Sequence, residues 1–458
     1  MNSHSGSNDK ISRPIIISIL GLAILIGLTY QGISEQPSHI YLVKLYELPI
    51  FIPHSNNVGL NSFDNLTNSL NAHVEDLYPD NNTGDIGRWI VVTCKNNIER
   101  NLWRNNSVTE VEDGTTIYGI DALQNMDNSN ESVMSAAVVN NDKTWGIRIP
   151  KVEEGLEALK PIREIIVGVI DTGCDLRHPA LQDNFVKGRN FAGGNENDPS
   201  NRTPQEMHAT HVAGTIIARR GCNKFFGIAN GIAKVMPIRV LNEYGTGTVR
   251  DISRGVIYAA DHGVNVINMS LGGPSYSRAF HDAIKYAVNV KNVTVVCAKG
   301  NSNTDKSSYP AEFPEVIRVT ATSLLDDNQE ARAPFSNYGK SSTCSAPGHF
   351  TYSTLPGGKY GFASGTSMAC PHVTGCVAVI LSQEKFTPGK VKSIVESYGD
   401  ELKTDKQIGQ SINLLKFVQR AKNNPPPLKE IEEFTPMHLL DLEGIIEWPW
   451  YSLVFGFN

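Results

Sequence analysis

Three short segments carry residue types that could together supply a nucleophile, its base and a group that orients the base. In the first, Asp171-Thr172-Gly173 directly follows the apolar run Ile165–Ile170. An aspartate just after a buried strand lies at the carboxyl edge of a sheet, where α/β folds place their sites. A helix cap or a turn is the plainer use of the same residue. The second segment, Met207 to Thr215, opens a helix and holds His208 and His211. Two histidines at i and i+3 could suggest a metal pair, but no glutamate stands between them and no third ligand is near. His208 as a base, with His211 packed structurally, is the better account. The third, Gly365-Thr366-Ser367-Met368-Ala369-Cys370-Pro371-His372-Val373, leads into an apolar helix. A serine there is often only a cap. Here, though, the preceding glycine permits a tight turn, and Pro371 fits the first helical turn. Such a turn exposes the Ser367 hydroxyl and aims helix N–H groups at whatever binds beside it.

The elements that must position these residues can be read around them. Ile165–Ile170, Val235–Leu241, Val264–Met269, Val293–Ala298 and Val316–Val319 are short apolar runs predicted to be buried strands. Between them His208–Arg219, Arg250–Asp261 and Ser277–Val290 carry helical spacing. Strands alternating with helices predict an α/β fold, a three-layer sandwich with a central, mostly parallel sheet flanked by helices. This pattern runs from about residue 142 to Ala421, where Asn423-Asn424-Pro425-Pro426-Pro427 breaks regular structure and a tail, 422–458, begins.

Taken together, Asp-Thr-Gly, His-x-Thr-His-Val-Ala-Gly-Thr and Gly-Thr-Ser-Met-Ala-x-Pro-His-Val resemble the subtilisin family of serine proteases, in the same chain order, from about Trp145 to Ala421. The resemblance implies a serine endopeptidase acting on protein or peptide substrates, with Asp171, His208 and Ser367 as its triad and Asn301 as the oxyanion donor. It also implies that Gly245, Thr246 and Gly247 form one edge of a cleft that pairs with substrate backbone. Ser270, Leu271 and Gly272 would form the facing wall of the specificity pocket, joined by Ala298 and Gly300. Residues 31–141 resemble the family's propeptide, a small α+β domain that would act as an intramolecular inhibitor. A processing bond near Val139–Asn140 is expected from the distance to Trp145-Gly146, which resembles the start of the mature enzyme.

Three departures from the family pattern carry expectations of their own. Ala209 replaces a glycine after the histidine, a small change compatible with activity. Lys299 stands two residues before Asn301 and is expected either to point to solvent or to act as a specificity element. Ala180 and Gly221 occupy positions where the family places calcium ligands, and Arg219, Arg220 and Lys224 crowd that loop. Losing oxygen donors while gaining positive charge predicts no metal and no other cofactor.

Composition sets the outer bounds. The 458 residues are 40% hydrophobic and 19% charged, ordinary for a globular chain of more than one domain. A net charge of −6 gives no electrostatic case for nucleic acid. Seven cysteines without CxxC pairing suggest neither a disulfide framework nor a zinc ribbon. Cys174 and Cys370, each three residues past a triad member, read as small buried hydrophobes. A monomer is expected. Ile15–Tyr30 is an uncharged apolar run preceded by Lys10 and Arg13. Residues 1–30 therefore read as a cleaved secretory signal or as a retained anchor tethering the chain to a membrane through 15–30. Either sends the remainder into the secretory pathway, secreted or membrane-anchored outside the cytosol. A catalytically silent binding protein on the same fold is the competing function, disfavoured because all four catalytic positions are intact.

Overall fold

The computed structural model describes residues 39–45, 72–77, 89–94, 102, 108–114, 117–119, 142–203, 205–221, 224–325 and 328–422. The chain divides into two compact units, one comprising residues 1–79 and 87–115, the other 80–86 and 116–458. Among the described residues of the first unit, β1 (His39–Leu45), β2 (His73–Asp76), β3 (Trp89–Cys94) and β4 (Val108–Asp113) form an antiparallel sheet in the order β2-β3-β1-β4. Tyr41, Val43, Ile90, Val92 and Leu102 make its core.

The second unit begins with β5 (Ile117–Gly119), then two short helices, α1 (Trp145–Arg148) and α2 (Val152–Glu157). The central sheet is built from β6 (Ile165–Asp171), β7 (Arg189–Asn190), β8 (Ala233–Arg239), β10 (Val266–Met269), β11 (Thr294–Ala298), β12 (Ile317–Leu324), β14 (Cys344–Pro347) and β17 (Gln410–Ser411). Its order is β17-β14-β12-β11-β10-β6-β8-β7, with parallel pairing throughout. Only β13 (Glu330–Arg332), on β12, runs antiparallel. The apolar runs become strands because both faces are covered. In β6 every residue except Ile166 is buried, as a central parallel strand requires.

Helices α3 (His208–Ile217), α4 (Val249–Asp261), α5 (Arg278–Lys285), α6 (Thr366–Gln383), α7 (Pro388–Ser397) and α8 (Leu414–Lys422) cover the sheet. Local chemistry sets several of their starts. Thr248 caps α4 by accepting the Asp251 N–H, and Ser277 caps α5 by accepting that of Phe280. Helix α5 then widens into a π turn over Tyr286–Val290. Two small antiparallel pairs complete the unit. Strand β15 (Thr351–Leu355) pairs with β16 (Lys359–Ala363), and β5 with β9 (Thr246–Thr248). The expected strands and helices are present with ends shifted by a few residues. The largest shift is in β12, which runs on through buried Thr320, Thr322 and Ser323 because β13 and β14 pair with them.

Candidate active site

Asp171 is the last residue of β6 and His208 the first of α3, so two separate elements deliver them to one rim of the sheet. Both are buried, and His208 Nδ1 lies 2.7 and 2.9 Å from the two Asp171 carboxylate oxygens. Asp171 Oδ1 also accepts the Thr172 N–H at 2.6 Å. A carboxylate only accepts, so the ring must donate from Nδ1, which leaves Nε2 as the basic nitrogen. Nε2 is buried and makes no hydrogen bond among the described residues. Ala209, in place of glycine, fits the buried helix start and donates its N–H to Thr172 Oγ1.

Ser367 is the second residue of α6, and its hydroxyl donates to the Ser270 carbonyl at 3.1 Å. The helix begins at Thr366, so Pro371 falls in its second turn, not its first as the sequence suggested. A proline there cannot donate to the carbonyl four residues back, which is that of Ser367. The Ser270 hydroxyl donates to that carbonyl instead, at 2.8 Å. Ser270 thus grips Ser367 at both its main-chain and side-chain oxygens.

Asn301 is fixed by Thr366, whose N–H and hydroxyl both donate to its Oδ1, at 2.8 and 2.9 Å. That commitment settles the amide's orientation and puts its NH2 end beside Gly365. Gly365 has φ +152°, and a β-carbon there would come within 3.3 Å of Asn301 Nδ2. Glycine is therefore needed for both conformation and space. The main-chain N–H of Gly300 donates to Thr366 Oγ1 at 3.0 Å, so the segment after Ala298 is tied to the turn before Ser367.

The expected cleft edges stand opposite one another with a strand of the chain itself between them. Ile117, Tyr118 and Gly119 pair with Thr248, Gly247 and Thr246, and Gly119 exchanges both hydrogen bonds with Gly272, at 3.0 and 2.8 Å. Gly245 turns into this edge at φ +74°, and Leu271 is buried in the other. The role of β5 was not readable beforehand. Its β-branched and aromatic residues fit a strand, but nothing in them names the partner.

Lys299 corrects both expectations made for it. The side chain is only 1% exposed, so it neither reaches solvent nor lines the cleft. Its Nζ lies 2.7 Å from Glu312 Oε1 and 2.6 Å from Ser341 Oγ. Burial alone would raise the Glu312 carboxyl, but the Lys299 ammonium and the Ser341 hydroxyl outweigh it and hold it below its ordinary value. The second histidine, His211, is buried with Nε2 3.1 Å from the Thr351 carbonyl oxygen. Burial lowers its pKa to about 3, so it is neutral and structural. Cys174 and Cys370 are buried as well. Desolvation pushes the Cys370 thiol up to about 12 and the Cys174 thiol up too, which makes both poor nucleophiles.

The loop after α3 does not fit a calcium ion. Ala180 and Gly221 offer no side-chain oxygen. Arg219 pairs with Asp183 at 2.6 Å and Arg220 with Glu153 at 2.8 Å, so guanidinium groups already take up nearby carboxylates.

Residues 163–410 match the family model described as the subtilase family. Relatives include an intracellular serine protease of Paenibacillus polymyxa, 42% identical over 48% of this chain and 67% of its own. The major intracellular serine protease of Bacillus subtilis is 40% identical over 56% of this chain and 79% of its own, and subtilisin DY of Bacillus licheniformis 41% over 47% and 76%. Among solved structures, fervidolysin from Fervidobacterium pennivorans, described as a keratinolytic enzyme related to subtilisin, superposes with a TM-score of 0.69 at 24% identity. That match covers 86% of this chain and 62% of the other, and carries the fold alone. The chain belongs to the subtilase family. It is a subtilisin-like serine endopeptidase.

Proposed function

We propose that the chain hydrolyses protein or peptide substrates through an acyl-enzyme on Ser367, and that it is made as a zymogen. The observation that carries the first part is the double contact of Asp171 with His208 Nδ1 in a buried site, which leaves Nε2 as base. Nε2 would take the Ser367 proton once the hydroxyl turns from the Ser270 carbonyl toward the ring, as substrate binding would require. Asp171 stabilises the imidazolium that forms. The Asn301 NH2 and the Ser367 main-chain N–H would meet the tetrahedral oxyanion. Substrate would add as a strand between Gly245–Gly247 and Ser270–Gly272, with its side chain against Ala298 and Gly300.

The zymogen reading draws on β5, which takes up those same main-chain positions. Residues 31–141 would then act as propeptide and inhibitor, 142–421 as the catalytic domain and 422–458 as a tail, in a monomer needing no cofactor.

For location, the apolar run 15–30 lies outside the described residues. Among those described, no helix is long and apolar enough to cross a membrane. Lys10, Arg13 and the run that follows support delivery out of the cytosol, as a secreted or membrane-anchored enzyme, although two relatives are intracellular by name.

A fluorophosphonate probe should label Ser367 in the purified protein. Ser367→Ala should abolish labelling and lower turnover of a denatured protein substrate by about 10⁶-fold, the figure for removing that nucleophile from subtilisin itself. Turnover unchanged in Ser367→Ala would refute the assignment.

A further inference from the structure

A donor of the kind proposed for Asn301 needs more than a correctly turned amide, because the main chain that carries it must also be held in place. Residues 299–304 belong to no strand or helix, and the chain turns through the left-handed region at Gly300, φ +106°, and at Asn303, φ +49°. The segment 335–338 holds it instead. Asn337 donates from Nδ2 to the Lys299 carbonyl and from its main-chain N–H to the Gly300 carbonyl, both at 2.9 Å. Its Oδ1 accepts the N–H groups of Ser302 and Thr304, at 3.0 and 3.1 Å. One side chain thus bonds the main chain on both sides of Asn301. Neighbouring residues complete the seam. The Asn303 N–H donates to the Phe335 carbonyl at 2.8 Å, and the Tyr338 N–H to that of Thr304 at 3.1 Å. Asn337 is itself anchored, being only 4% exposed. The Ser336 hydroxyl donates to its carbonyl at 2.9 Å and accepts the N–H of Ala321, on β12, also at 2.9 Å.

We propose that Asn337 is a positioning residue for the reaction, holding the Asn301 amide where the oxyanion forms. This rests on the oxyanion role of Asn301. An oxyanion donor acts only within hydrogen-bond reach of a charge that develops in the transition state, and a misplacement of about 1 Å costs about 10²-fold in rate. Two grips meet on Asn301 and do different work. Thr366 sets which way the amide faces, and Asn337 sets where the main chain beneath it stands. An asparagine suits the second task because one amide supplies an acceptor for two N–H groups and a donor for a carbonyl. Aspartate keeps only the acceptors, and leucine fills the space with neither. The effect of Asn337 on rate therefore passes through Asn301.

The test is a kinetic cycle on protein expressed as the full chain and carrying Asn337→Leu, Asn301→Ala or both. A peptide anilide is the substrate, and kcat is counted per site labelled by the fluorophosphonate probe. Asn337→Leu should lower kcat by at least about 10-fold and move KM by less than about 2-fold, the split expected of a contact made only in the transition state. Asn301→Ala should lower kcat by about 10²–10³-fold. With Asn301 already alanine, adding Asn337→Leu should change kcat by less than about 3-fold, because no donor remains to be placed. Losses that multiply in the double variant, or parental kcat in Asn337→Leu, overturn the proposal and leave Asn337 a part of the fold alone. Should the leucine variant not fold, Asn337→Asp, which keeps the bonds from Ser302 and Thr304, is carried through the same cycle with the same criteria. Parental kcat in Asn301→Ala sinks the oxyanion reading and the proposal with it. A full Asn301 effect beside an independent Asn337 effect sinks the positioning role only.

Discussion

The Lys299–Glu312 pair offers a quantitative check on how residues 298–301 are held. The ammonium is almost fully buried, and its carboxylate partner has a side chain 19% exposed. At 2.7 Å their attraction is about 6 kcal/mol at an effective dielectric of about 20, most of it offset by desolvation. Removing one member leaves the other buried without its counter-charge. Lys299→Met and Glu312→Gln should therefore each destabilise by about 3–5 kcal/mol. The double variant leaves no unpaired charge and should fall within about 2 kcal/mol of the parent, giving a coupling energy of at least about 4 kcal/mol. Urea unfolding in a Ser367→Ala background, where self-digestion is absent, measures all four corners of the cycle. Single variants that each cost under about 1 kcal/mol, or a double variant that loses the sum of both, would refute the reasoning.

Two further outcomes follow from buried groups. Burial lowers His211 to about 3 and His372 to about 4, against an ordinary value of 6.5. The unfolded chain therefore binds these protons first, so their contribution to stability is intact above about pH 6.5 and is lost as pH falls toward 3–4. Each should cost about 2 kcal/mol between about pH 8 and pH 5, and His372→Gln should flatten the pH dependence of the urea midpoint. An unchanged slope would contradict that account. Gly146→Ala would set a β-carbon 2.6 Å from Nε2 of His372, whose ring is held by the Met368 carbonyl at 2.8 Å. A loss of about 1–3 kcal/mol is expected, read as a lowered melting temperature.

Much of this protein was legible as a string. The apolar runs name the sheet because a central parallel strand has no solvent face and so needs no polar alternation. The motifs around Asp171, His208 and Ser367 name the chemistry because a tight turn, a helix start and a nucleophile must share a few adjacent residues. Those are local requirements, and local order records them. Where a long side chain ends, which hydroxyl replaces a bond lost to proline and which edge a short strand joins are long-range matters. Lys299 looked exposed or like a specificity element, yet it is buried because Glu312 and Ser341 meet it there. Pro371 looked like a first-turn residue, and only the approach of Ser270 shows what becomes of the carbonyl it frees. Ile117–Gly119 was one more stretch before the catalytic region until two cleft edges closed on it. Sequence alone named the candidate reactive groups and determined the layers that carry them. Tertiary structure decided their partners, because each such contact joins residues whose separation along the chain leaves no mark in either neighbourhood.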